Sequence, residues 1–133
     1  MQYGRFDNVR REYVIDRVDL PVSWTNYIGT RDMMGVFNHT AGGYLVYKSS
    51  EYHRVTRFRA NGVPMDSPGH YLYLRDDADG DYWSVSWQPV GKPKEHFSCR
   101  HGLGYVSITA TTAALTPSRP SLSRWTTPWR SGT

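Results

Sequence analysis

The sequence predicts an antiparallel all-β fold, and three observations carry that expectation. Short runs rich in aromatic and β-branched residues recur between turn signals. No segment holds a long apolar period of 3.6 residues, and twelve Gly with eight Pro supply many turns in 133 residues. There is no internal repeat, and the length corresponds to about one domain.

In chain order, Glu12-Tyr13-Val14-Ile15 is a short β-prone run closed by Asp16 and later by Pro21. Gly43-Tyr44-Leu45-Val46-Tyr47-Lys48 follows a Gly-Gly break and reads as a second strand. Arg54-Val55-Thr56-Arg57-Phe58-Arg59 alternates basic with less polar positions, and Asn61-Gly62 supplies a turn after it. His70–Arg75 and Tyr82–Trp87 form an expected hairpin, turned at Asp79-Gly80. Alternation there sets Trp83, Val85 and Trp87 on one face, with Tyr82, Ser84 and Ser86 on the other. Gly104–Thr109 is a further expected strand. From Thr111 the character changes. Thirteen of the last 23 residues are Ser, Thr or Pro, and a disordered basic tail over residues 111–133 is expected.

Charge follows the same boundary. The chain carries a formal +4, yet up to Ala110 thirteen basic residues face twelve acidic ones, a net of +1. The other +3 is Arg119, Arg124 and Arg130 in the tail. A near-neutral body without an RNA-binding sheet motif argues against nucleic acid as a partner. No apolar run is long enough to span a membrane, and the first residues lack the apolar stretch of a signal peptide. A lone Cys99 excludes a disulfide within the chain and suits a reducing cytoplasm.

Most catalytic signatures are missing. The five His show no metal-ligand spacing, and one Cys cannot build a thiolate zinc site, so no metal is expected. Asp76–Asp81 lacks the spacing and distal Glu of an EF-hand loop and reads as a solvated turn. Asn38-His39-Thr40 matches a glycosylation triplet, which carries little meaning without a signal peptide. Neither a nucleophile elbow nor a phosphate-binding Gly loop occurs. Ten Tyr, five Trp and four Phe fit sugar chemistry better, since aromatic rings stack on the apolar face of a pyranose. Core packing between two sheets competes for Trp83 and Trp87. The glycines of Thr40-Ala41-Gly42-Gly43-Tyr44 and Arg100-His101-Gly102, set beside polar groups, mark a surface that closely approaches something.

Arg11–Ile15, Trp24–Thr30, Thr40–Tyr44, Tyr52–Arg59, Pro68–Tyr71, Asp81–Ser84, Ser86–Val90 and Arg100–Leu103, in this order and spacing, resemble the cellobiose and chitobiose phosphorylases of glycoside hydrolase family ninety-four. The resemblance covers about residues 1–110. It implies an incomplete sandwich of the supersandwich type, the N-terminal part of a longer enzyme whose helical toroid carries the catalytic carboxylic acid. Such enzymes cleave a β-linked disaccharide with inorganic phosphate, inverting the anomeric centre to an α-sugar 1-phosphate. The resemblance thus implies a disaccharide substrate, phosphate as co-substrate, no cofactor, a homodimer in the full enzyme and no catalytic residue here. Tyr47 is the leading substrate-side candidate, with Asn38 and Arg57 behind it and scaffold packing as the rival role. A free-standing carbohydrate-binding module is the alternative.

The tail does not share the resemblance. Restoring one base before Thr111 regroups its codons to permit Asp-Tyr-Ser-Gly and, at the end, Val-Glu-Ile-Trp-Asp, as family members resemble there. Residues 111–133 are therefore expected to be out-of-frame translation of a truncated gene. A partial sandwich leaves sheet edges and apolar faces uncovered, so poor independent stability is expected.

Overall fold

A computed structural model describes residues 2–56, 68–112 and 121–128. Ten strands occur among the described residues: β1 (Arg5–Asp7), β2 (Glu12–Ile15), β3 (Thr25–Thr30), β4 (Met33–Asn38), β5 (Gly43–Tyr47), β6 (Tyr73–Arg75), β7 (Tyr82–Ser84), β8 (Lys94–His101), β9 (Tyr105–Thr112) and β10 (Ser121–Pro128). They pair antiparallel into a five-stranded sheet ordered β1-β2-β8-β9-β10, a three-stranded sheet β3-β4-β5 and a two-stranded hairpin β6-β7. After β2 the chain leaves the larger sheet, builds the smaller one and the hairpin, and returns as β8 beside β2.

The fold is all-β, an antiparallel sandwich. Its core lies between the two larger sheets. Ile15, Phe97, Cys99, Val106, Ile108 and Ala110 face inward from β2, β8 and β9, and meet Ile28 of β3, Phe37 of β4 and Ala41. Period-2 alternation along β9 puts Val106, Ile108 and Ala110 on that face. Each fully buried Ile contributes about 1.5–3 kcal/mol of transfer free energy. Tyr13, Trp24, Leu45 and Tyr71 close the rim.

The strands expected at Glu12–Ile15, Gly43–Lys48 and Gly104–Thr109 are present, the last reaching Thr112. β1, β3, β4 and β8 had no sequence signal. Of the strand expected over residues 54–59, Arg57 onward lies outside the described residues, as does the Asn61-Gly62 turn. Arg54 makes one isolated bridge to Val46. The β6–β7 hairpin is shorter than expected, because the Ser84 hydroxyl donates to the Ser86 carbonyl and the Ser86 hydroxyl to that of Gln88. These local bonds bend the chain, so Ser84, Val85 and Ser86 are all buried instead of alternating.

Within the tail, the structure describes residues 111–112 and 121–128. Thr111 and Thr112 belong to β9, and Ser121–Pro128 pairs along it from Ser121↔Thr112 to Pro128↔Tyr105. An uncovered edge offers N–H and C=O groups to any extended chain, and a run rich in Thr and Trp accepts them whatever its overall composition. The remainder of the tail lies outside the described residues.

Candidate functional site

Two clefts gather residues from the segments that carry the resemblance. The first, about 370 Å³, sits at the β4–β5 end and is lined by Ser23, Thr25, Asn38, Thr40, Gly42, Gly43, Tyr44, Pro68, Tyr71 and Gln88 among others. Asn38 ends β4, and its Oδ1 accepts from Thr40 N at 2.9 Å, Thr40 Oγ1 at 3.1 Å and Gly42 N at 2.7 Å. One amide oxygen thereby folds the loop into a wall. Ala41 takes φ 67° within it. Gly43 enters β5 at φ 148°, where a Cβ would stand 1.8 Å from the Val36 carbonyl oxygen. Only glycine fits there. The wall then docks on the next segment, with Gly43 N donating to Pro68 O at 3.0 Å and His70 N to Ala41 O at 3.0 Å.

The second cleft, about 740 Å³, is aromatic and lies at the ends of β1, β2, β3 and β8. Tyr13 and Trp24 stack with centroids 4.8 Å apart and planes 9° from parallel, and Phe6 meets Tyr13 edge-on at 4.9 Å. Phe6, Tyr27 and Leu103 stand exposed at the mouth. Asn26 Nδ2 donates to Gly102 O at 2.8 Å and ties β3 to the β8–β9 turn.

Glu12 and Asp7 of this cleft share one guanidinium, that of Arg100. Glu12 is 6% exposed, accepts from Arg100 Nη1 at 2.7 Å and takes the Tyr105 hydroxyl on its other oxygen. Burial opposes its ionisation, but the Tyr105 and Arg100 bonds outweigh it and hold the carboxyl below its usual value. Asp7 lies 3.5 Å from the same guanidinium. Partial burial first, and His39 second, push the half-buried His101 down to about 4. Burial raises the Cys99 thiol to about 12, so it is no nucleophile at neutral pH. Among the described residues no group of three His, Cys, Asp or Glu side chains is placed to hold a metal ion.

Asn38 therefore lies in the first cleft. Tyr47 does not. It is the last residue of β5, 40% exposed, with His53 at 6.3 Å between centroids and Lys48 Nζ 5.1 Å from its ring centre. Arg57 lies outside the described residues. Sequence reasoning passed over Ser23, Tyr71 and Gln88 as cleft residues and Asn26 as the tie. The usable signal was that Tyr71 and Gln88 lie in Pro68–Tyr71 and Ser86–Val90, two of the segments that carry the family resemblance.

Residues 11–118 match the glycosyl hydrolase 94 supersandwich domain. The chain is 59% identical over 107 residues to an N,N'-diacetylchitobiose phosphorylase of Vibrio furnissii, covering 79% of this chain and 13% of that protein. An N,N'-diacetylchitobiose phosphorylase of Vibrio proteolyticus is 58% identical over 107 residues, with the same 79% and 13% shares. A solabiose phosphorylase of Paenibacillus borealis is 30% identical over 107 residues, 80% of this chain and 14% of that protein. The chain thus spans between one eighth and one seventh of the length of these relatives.

Proposed function

The chain belongs to glycosyl hydrolase family 94 through its supersandwich domain, and from that premise we propose that it serves as the N-terminal, substrate-bordering segment of an inverting disaccharide phosphorylase. The observation that carries the reading is the 59% identity over 107 residues to the Vibrio furnissii enzyme. The substrate in this reading is N,N'-diacetylchitobiose, with inorganic phosphate as co-substrate and α-sugar 1-phosphate as product. The chain brings no cofactor and no catalytic carboxyl of its own, works in the cytoplasm, and sits in a homodimer of the full enzyme.

Within that role the first cleft borders the sugar. Asn38 holds its wall, and the Ser23 and Thr25 hydroxyls beside it suit sugar hydroxyls. Tyr47 offers an exposed ring for stacking on a pyranose face. Arg57 is the third proposed contact.

A chimera tests the reading. The matching segment of the Vibrio furnissii enzyme is replaced by residues 1–110 of this chain, and sugar 1-phosphate is measured from diacetylchitobiose and phosphate. Turnover is expected; a soluble chimera with the parent's circular dichroism and no turnover overturns the proposal. A free-standing carbohydrate-binding module is the second reading, favoured by the Tyr13–Trp24 stack beside an exposed aromatic mouth. Saturable quenching of tryptophan fluorescence by diacetylchitobiose in the isolated chain would support it.

A further inference from the structure

β9 has the sequence of an internal strand. Tyr105–Thr112 holds no charged residue and no Pro, and its Val106, Ile108 and Ala110 are each 1% exposed or less. Sheet edges are ordinarily blunted by short length, charge or Pro. β1, at the far end of the same sheet, follows that rule, with Arg5 and Asp7 among its three residues. β9 carries none of these devices, so both of its sides are built to be paired.

The strand on its second side matches it badly. β10 lies beyond residues 11–118, the span that matches the family domain. Register sets Thr127, Trp125 and Ser123 opposite Val106, Ile108 and Ala110, the core positions of β9. Of those three partners only Trp125 is apolar. Leu122, the other large apolar residue of β10, is registered opposite the half-buried Thr111. Leu122 and Trp125 stand three apart, which breaks the period of 2 that a half-buried strand requires.

We propose that the edge of β9 is a docking site for an extended amphipathic segment, and that β10 is its displaceable occupant. The segment that fits runs antiparallel to the eight residues of β9, apolar opposite Val106, Ile108 and Ala110 and polar opposite Ser107 and Thr109. Its source is the remainder of a family 94 phosphorylase, since this chain covers 13% of the Vibrio furnissii protein. That source rests on the function proposed above. Ladder bonds are the same for either strand, so the residues opposite the core positions decide which one stays.

The full chain carries the test. The probe is a synthetic peptide of the Vibrio furnissii enzyme that continues from its match to this chain, with a scrambled peptide as control. In excess peptide, amide exchange over Leu122–Trp125 should quicken roughly tenfold or more, while the β9 amides stay protected. Thr126→Pro removes an N–H from β10 and should expose the alternate β9 amides that face it. That variant should bind the peptide roughly tenfold more tightly than the unaltered chain and regain its protection. A peptide that leaves β10 exchange unchanged in the unaltered chain, or acts no better than its scramble, overturns the proposal. So does a variant that protects β9 by dimerising, read by sedimentation, because the occupant is then a second copy. The chimera that tests the functional reading lacks β10, so turnover there without displacement here overturns the docking edge alone.

Discussion

In the Asn38 cleft the side chain that shapes the wall and the backbone it shapes lie within four residues of each other. In the aromatic cleft, Asn26 and Gly102 are 76 residues apart and Glu12 and Tyr105 are 93 apart. The first wall can form as soon as the chain turns. The second exists only after β2, β8 and β9 have paired and the smaller sheet has docked. A local wall tolerates loss of a bond; a wall made by strand register depends on everything that holds the sheets together.

Gly43→Ala is the strongest way to break this contrast. It touches the local wall, yet its Cβ would run into Val36 across the β4–β5 pair. We expect a loss of about 4 kcal/mol by urea denaturation, with both clefts affected. A local effect below about 1 kcal/mol would show that the β4–β5 register can shift.

Acid should separate the clefts. His101 is depressed from 6.5 to about 4 in the folded chain by burial and by His39. The unfolded chain therefore takes up a proton first as pH falls. Stability is full above about pH 6.5 and declines toward about pH 4, by about 3 kcal/mol in total. His39, also lowered by burial, adds in the same direction. Denaturation midpoints across that range measure the slope, and His101→Leu should flatten it.

The smallest effect sharpens the comparison from the other side. Asn38→Ala removes the acceptor of three loop bonds and should cost about 2 kcal/mol. Asn38→Asp keeps that oxygen and should cost about 0.5 kcal/mol or less. Amide exchange at Thr40 and Gly42 should rise in the alanine variant, with the Gly102 turn unchanged.

Much of the fold was legible where a segment declares its own environment. Glu12–Ile15 is β2 residue for residue, and the Gly-Gly break before Tyr44 marks the entry to β5. β3 and β4 were not legible, since Met33-Met34-Gly35-Val36-Phe37-Asn38 mixes flexible and β-prone residues without alternation. Lys94–His101 hid for a similar reason: its buried Phe97 and Cys99 are separated and flanked by polar and charged side chains. At the site, Asn38 was named through the family resemblance; that its side chain bonds its own loop emerged only from the structure. Tyr47 was named through the family resemblance; it lies about 10 Å along β5 from Tyr44, which lines the first cleft.

By itself the sequence determined the antiparallel all-β class and the near-neutral body, because periodicity, turn residues and charge are local properties; the sandwich followed from the family resemblance. The tertiary structure alone decided which segments meet: Pro68–His70 against Ala41–Gly43, Asn26 against Gly102, Arg100 and Tyr105 on one buried Glu12, and β10 on the edge of β9. Every backbone carries the same donors and acceptors, so pairing partners are chosen by the packing of the whole chain.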